Sequence, residues 1–224
     1  MKERADKRRP AKETLRANIK DYIQKQIAAG VYRPGDRIVE TQLAREMNVS
    51  QAPVREAVLE MVSQGLLEER PYSGHFVRDM GPAEVEDIYN IRAVVEEYAA
   101  RRAAKLATEE QLEEMERVLR KMDQNRDLDT FIQLDMEFHT LVMDAAESPA
   151  LKRAWSTLQL AEWTYLSAYI SGLSMEEMVR HHWRIFDYLK KREEHCAGAY
   201  MFLHIKGYGE SVVEYFVKRK EKRE

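Results

Sequence analysis

Residues 40–65 read ETQLAREMNVSQAPVREAVLEMVSQG, a helix, a tight turn and a second helix with a polar front edge. Leu43, Ala44 and Met47 give the first helix a short apolar face. Asn48 tolerates the left-handed conformation that ends a helix, and Ser50 is placed to cap the next one. Pro53 falls in the first turn of that second helix, where its missing N–H costs no hydrogen bond. Behind it Val54, Ala57, Val58, Met61 and Val62 recur at three- and four-residue spacing. They therefore face a core, while Gln51, Ala52 and Arg55 stay outside. A helix offered in this way fits the DNA major groove, where the outer side chains reach bases or phosphates.

The flanks extend the same reading. Leu66 to Arg70 and His75 to Arg78 are strand-like runs around Pro71, Tyr72, Ser73 and Gly74, which predicts a hairpin wing. Upstream, Leu15 to Ala29 is an amphipathic helix ending at Gly30, followed by the turn Arg33-Pro34-Gly35-Asp36. With Gly30, Pro34-Gly35, Leu43-Ala44, Val49-Ser50, Pro53-Val54-Arg55-Glu56-Ala57, Gly65-Leu66 and Gly74 in this order, roughly the first third of the chain resembles the winged helix-turn-helix of the GntR family of bacterial transcription regulators. Two positions depart from that pattern: Gln51 stands where most relatives carry Arg, and Ala52 where Thr is frequent.

In this reading Arg55 is the leading DNA contact, a base reader at guanine or a phosphate clamp. Ser50, Gln51 and Ala52 form the helix front, Thr41 and Gln42 touch phosphate, and Gly74 lets the wing tip approach the backbone closely. The resemblance implies a homodimer on a palindromic double-stranded DNA operator, with the dimer symmetry setting the half-site spacing.

Composition alone says little, since 224 residues with 44% hydrophobic and 33% charged content describe any one- or two-domain globular chain. The net charge of −3 even points away from nucleic acid, until the chain is divided. Residues 1–78 carry 15 Lys and Arg against 11 Asp and Glu, net +4, whereas residues 79–224 carry 21 against 28, net −7. Lys2, Arg4, Lys7, Arg8, Arg9 and Lys12 open the chain, and residues 1–12 read as a flexible basic arm, either a solvated tail or a sequence-independent phosphate contact. The single cysteine, Cys196, excludes an internal disulfide and reads as a packed residue of a reducing cytosol. Neither a signal peptide nor a membrane-length apolar run is legible, which predicts a cytoplasmic protein without a membrane partner.

The domain boundary is read at Asp79-Met80-Gly81-Pro82, dividing a DNA-binding domain at 1–78 and a linker at 79–82 from a helical domain at 83–224. Helical patterns fill the remainder, at about 82–106, 108–124, 128–146, 149–171, 174–191 and 194–218, with start signals at Pro82, Thr108, Asp127, Ser148 and Ser174. Short connections force antiparallel neighbours, so the expected fold class is mainly α: a winged helix-turn-helix followed by an all-α antiparallel helical bundle. Gly207 and Gly209 interrupt the last helix, and a kink or a close helix contact would each account for them.

Inside this bundle, Asp135 and His139 stand at i and i+4 and project from one helix face. His182 and His204 are 22 residues apart, with the turn-like Lys191-Arg192-Glu193 at their midpoint, so each lies about 16 Å of helix from the turn. In an antiparallel hairpin they reach the same height. If the Asp135 helix packs alongside, three imidazoles and a carboxylate converge as a divalent-metal ligand set for Zn²⁺, Ni²⁺, Mn²⁺ or Fe²⁺. The spacing resembles the FCD effector domain of the FadR-type branch, which implies Asp135, His139, His182 and His204 as ligands, with Phe138, Ile185 and Ala197 also in family positions. His181 and His195 read as surface residues.

One Asp and three neutral His leave an octahedral ion two open positions for a small carboxylate metabolite. The resemblance marks Arg92 as the residue that holds a second carboxylate or hydroxyl, and a salt bridge to Glu96 one turn on is its other reading. Trp155, Trp163, Tyr165, Tyr169 and Trp183 are candidates for the pocket wall or for core. The expected function is a regulator, most often a repressor in this family, in which effector capture changes the separation of the two recognition helices. A purely structural metal, a metal-free site for an acyl ligand and a metalloenzyme domain are the alternatives. The enzymatic one is disfavoured because no general base is evident beside the ligand set.

Overall fold

The computed structural model describes residues 9–158 and 174–221, and they divide into two compact units, Met1–Met80 and Gly81–Glu224. In the first unit, α1 (Arg9–Ala28) precedes β1 (Arg37–Ile38), α2 (Glu40–Glu46), α3 (Gln51–Ser63), β2 (Leu67–Arg70) and β3 (Gly74–Val77). Helix α1 begins earlier than its apolar periodicity predicts, because Pro10 sits in the first turn, where proline is compatible with helix. Residues 9–12 therefore belong to a helix and not to the expected arm, whose residues 1–8 lie outside the described residues.

Asn48 takes φ +54°, so it ends α2 in the left-handed conformation as its residue type predicts. Ser50 occupies the N-cap of α3 with extended backbone, but its hydroxyl makes no cap hydrogen bond, which corrects the capping role expected of it. Ile19 and Ile23 of α1, Leu43 of α2, Val54, Ala57, Val58 and Met61 of α3, and Ile38, Leu67 and Val77 of the strands form one buried cluster. Lys20 and Arg16 reach Glu60 at 2.6 and 3.1 Å, adding ion pairs between α1 and α3.

The wing is a three-stranded antiparallel sheet in the order β1-β3-β2, with Arg37 opposite Phe76 and Leu67 opposite Val77. The predicted hairpin lacks β1, because two residues are too short to show alternation. The strand exists through Gly35 N–H to Val77 O (2.8 Å) and Val77 N–H to Asp36 O (2.9 Å). At the wing tip Tyr72 has φ +62° and Gly74 φ +96°, the latter a conformation that favours glycine.

The second unit contains α4 (Pro82–Leu106), α5 (Glu109–Gln124), α6 (Leu128–Ala145), α7 (Pro149–Leu158), α8 (Met175–Lys190) and α9 (Glu194–Glu221). Thr108 and Ser174 form reciprocal capping boxes with Gln111 and Glu177, and Asp127 caps α6 through the Thr130 N–H. The turn between α8 and α9 places Arg192 at φ +60°, and its guanidinium donates to Ala107 O at 2.6 Å, tying the hairpin to the end of α4. Helices α4 and α9 run antiparallel in close approach: a Cβ on Gly198 would meet Arg101 Cγ at 2.4 Å, and one on Gly209 would meet Tyr89 Cβ at 2.7 Å. Gly209 is thus a close helix contact, whereas a Cβ on Gly207 would meet nothing within 4 Å. Cys196 is exposed at the start of α9 and not packed, because α9 buries its neighbours Ala197 and Gly198 instead. Among the described residues no helix is long and apolar enough to cross a membrane.

Candidate nucleic-acid interface and metal centre

The first unit exposes polar residues at the front of α3 and along α2. The α3 back buries Pro53, Val54, Ala57, Val58 and Met61, which leaves Gln51, Ala52 and Arg55 exposed at its front, with Ser50 exposed at its cap. On α2, Leu43 and Ala44 are buried and Thr41 and Gln42 are exposed, although the Gln42 amide already donates to Glu46 at 2.8 Å. Arg45, one turn after Thr41 on this helix, is a further exposed cation that sequence reading did not single out. Arg37 is another: its guanidinium lies 3.4 Å from where a Cβ on Gly74 would stand, so the wing tip carries a positive charge beside its glycine. Both could have been flagged as basic residues outside the apolar repeat.

In the second unit three helices bring a carboxylate and three imidazoles together. Helix α6 supplies Asp135 and His139, α8 supplies His182, and α9 supplies His204, all buried. The 22-residue spacing across the α8–α9 turn brings the rings of His182 and His204 to 4.7 Å between centroids, and His139 lies 5.4 Å from each of them. One ring nitrogen from each of the three histidines lies within 4.8 Å of the other two. Phe138 packs edge-on against His182 at 5.3 Å, so the cluster rests on apolar surface.

Hydrogen bonding sets which lone pairs face inward. His139 Nδ1 donates to Glu96, a buried carboxylate on α4 whose other oxygen accepts from Arg92 Nε at 2.6 Å. His182 Nδ1 donates to Met178 O at 2.8 Å, which leaves Nε2 as the atom 2.6 Å from Asp135 Oδ1. A bare nitrogen lone pair against a carboxylate is repulsive unless a proton or a metal ion stands between them. His139 Nε2 and His204 Nδ1 are buried without a hydrogen-bond partner, as is the Tyr208 hydroxyl one turn beyond His204, while His182 Nε2 faces Asp135. Buried polar atoms of native proteins are normally satisfied, so two orphan imidazole nitrogens beside the His182–Asp135 pair fit a divalent cation.

The electrostatics hold His204 neutral and both carboxylates ionised, while Asp135 favours a proton on His182 that a bound ion would have to displace. Burial drives the His204 pKa well below the usual imidazole range, helped by His182, His139 and Arg92, and keeps the ring neutral. Burial also disfavours a charged His182, but Asp135 and the Met178 carbonyl outweigh it and raise its pKa. For Glu96, burial is overcome by His139 and Arg92, and for Asp135 by His182, His139 and Arg92, so both carboxylates are held ionised. Burial pushes the Tyr208 phenol upward, which keeps it a hydroxyl donor.

Arg92 thus makes the ion pair with Glu96 that its spacing allows. Glu96 is the residue that sequence reading underused: it was legible as a partner of Arg92 but not of His139. His181 is half-buried, its ring 6.0 Å from that of His204, which corrects its reading as a surface residue, while His195 is exposed as expected. Trp155 packs against the Ala99, Met143, Ala146 and Leu151 cluster. Trp183 donates to Asp123 at 2.8 Å and lines a separate cavity of about 500 Å³ with Met122, Arg126, Met175 and Arg180. Trp163, Tyr165, Tyr169 and residues 159–171 of the predicted fourth helix of the bundle lie outside the described residues.

Residues 15–77 match the family model for bacterial regulatory proteins of the gntR family, and residues 87–207 match the FCD domain. The chain belongs to the GntR family. This GntR protein is 32% identical over 199 residues to the HTH-type transcriptional repressor RspR of Escherichia coli strain K12, covering 85% of each chain. It is 31% identical over 189 residues to the HTH-type transcriptional regulator YdhC of Bacillus subtilis strain 168, covering 82% of this chain and 84% of that one. Among solved structures, E. coli McbR/YncC shares its fold with a TM-score of 0.70 at 21% identity, over 90% of this chain and 98% of that one. The GntR protein is accordingly a DNA-binding transcription regulator and not an enzyme.

Proposed function

We propose that this GntR protein is a repressor whose affinity for a palindromic operator, bound as a homodimer, is set by a small carboxylate captured at a metal centre in its FCD domain. The carrying observation is the convergence of buried His139, His182 and His204, with His139 Nε2 and His204 Nδ1 lacking hydrogen-bond partners. With Asp135 against His182, these residues would hold the ion. A divalent cation bound there supplies an electrophilic centre with coordination positions left for a ligand oxygen. Charge supports an anionic effector: Arg92, Glu96 and Asp135 sum to one buried negative charge, a divalent ion turns it positive, and a monocarboxylate neutralises it. Arg92, whose field reaches Asp135 and His204, is the proposed effector-binding residue. The exposed edge of Ser50, Gln51, Ala52 and Arg55, with Thr41, Gln42 and Gly74, is the proposed operator surface. Repression is supported by similarity to RspR.

The Arg92–Glu96 ion pair favours a second reading, in which the guanidinium only props Glu96 and the metal is structural. Metal analysis of the purified protein, with gel shifts on DNA recovered by binding-site selection, separates the two readings. On the sensing reading the protein carries about one divalent ion per chain, and acetate, succinate or citrate changes operator affinity by about 5- to 150-fold. An ion bound without any carboxylate effect leaves the structural reading, and absence of bound ion overturns both.

A further inference from the structure

A cavity of about 500 Å³ opens between the end of α5, the turn that follows it and the first half of α8, and none of the clustered histidines or their carboxylates lines it. Its volume lies within the range of about 300–1,000 Å³ usual for small-molecule sites. Buried Met122 and Val179 and half-buried Met175 and Trp183 give it an apolar wall. The Trp183 ring is held from two sides: its indole N–H donates to Asp123 Oδ2 at 2.8 Å, and Phe186 packs edge-on at 5.8 Å between centroids. A ring fixed in this way offers flat apolar surface to a ligand with little further ordering on binding.

Charges of both signs rim that wall. Arg126 and Arg180 are exposed, as are Asp123 and Glu176, so the charged lining sums to zero. Elsewhere on these helices opposite charges close on each other: Arg120 reaches Glu116 at 2.6 Å on α5, and Lys191 reaches Asp187 at 2.7 Å at the end of α8. Around the cavity Arg126 instead donates Nη1 to the Asp123 and Asn125 carbonyls at 2.8 and 2.7 Å, which anchors its guanidinium by one nitrogen. An anionic ligand would meet two carboxylates here, and a cationic one would meet two guanidiniums. A neutral zwitterion with an apolar side chain meets a partner for each of its charges and for its side chain.

We propose that this cavity binds a free α-amino acid with an apolar or aromatic side chain. Arg180 and Arg126 take its carboxylate, Glu176 takes its ammonium group, and the side chain lies against Trp183 and Met122. The site is independent of the metal centre and of the function proposed for that centre. Isothermal titration calorimetry of the full chain with L-phenylalanine, L-leucine, phenylacetate and phenethylamine tests it. Both amino acids are expected to bind with a Kd of about 1 mM or tighter, and phenylacetate and phenethylamine about tenfold more weakly or worse. Chelator treatment is expected to leave the phenylalanine Kd unchanged. Arg180→Ala should weaken phenylalanine by about tenfold or more through loss of a charged contact, with circular dichroism unchanged because the residue is exposed. Glu176→Gln should weaken phenylalanine while leaving phenylacetate no weaker than before. No saturable binding of either amino acid up to about 10 mM overturns the proposal. Phenylacetate as tight as phenylalanine overturns the zwitterion, binding that vanishes with the chelator moves the ligand to the metal centre, and unchanged affinity in both variants removes it from this cavity.

Discussion

The proton on His139 Nδ1 is directed at Glu96, and that hydrogen bond leaves Nε2 as the lone pair facing the other two imidazoles. Partners of this kind fix ring orientation and raise ligand basicity. Glu96→Gln is therefore expected to weaken metal binding by about 10- to 100-fold in a chelator competition, with far-ultraviolet circular dichroism retained. Unchanged affinity would show that Glu96 serves Arg92 alone. His182 behaves differently, since Asp135 helps to hold a proton on it above the usual imidazole pKa of 6.5. A metal ion must displace that proton, so affinity should fall as pH drops through His182's raised pKa, by about tenfold per pH unit for each proton displaced. Chelator competition from pH 6 to 8 measures the slope, and a flat profile would mean that no such proton is held. At the proposed operator surface, Gln51 offers an amide suited to adenine where the family pattern implies Arg. Binding-site selection with Gln51→Arg should change the preferred base at one position of each half-site, and an unchanged selection would remove Gln51 from base reading. The histidine cluster with Asp135 was legible because i, i+4 spacing and a symmetric hairpin are local facts. The link from Glu96 to His139 was not legible, since the two are 43 residues apart on different helices.

Helix starts were readable wherever a side chain satisfies the first N–H groups, as at Thr108, Asp127 and Ser174. Ser50 shows the limit of that signal, for it holds the cap position without making the bond. Strand β1 shows another, since its two residues become a strand only by pairing with β3. The two interior glycines of α9 separate by environment. At Gly209 an added methyl would stand 2.7 Å from Tyr89 Cβ, a rigid part of that side chain, so the backbones must part. Gly209→Ala is expected to destabilise by about 1–3 kcal/mol through overpacking. At Gly207 the methyl enters open space, and Gly207→Ala should stabilise by up to about 1 kcal/mol through helix propensity. Denaturant unfolding of the two variants checks both signs, and equal effects would contradict the close approach of α4 and α9.

The whole molecule joins two compact units, with an exposed polar edge on the first and a buried cluster of histidines and carboxylates in the second. If the units are chemically separate, Arg55→Ala should lower operator affinity by about 5- to 150-fold, the roughly 1–3 kcal/mol of a lost bidentate base contact. Metal content should stay unchanged, as gel shift and metal analysis on one preparation will show. Loss of both would mean that Arg55 supports the fold. The order of helices, the winged helix-turn-helix and the three histidines follow from the chain read alone, because periodicity, caps and short spacings are properties of neighbouring residues. The His139–Glu96–Arg92 chain, the half-buried place of His181, the third strand of the wing, the tight seam at Gly209 and the cavity beside Trp183 do not. Each depends on which faces of distant helices and strands meet, and a side chain's own period says which way it points but not what it meets there.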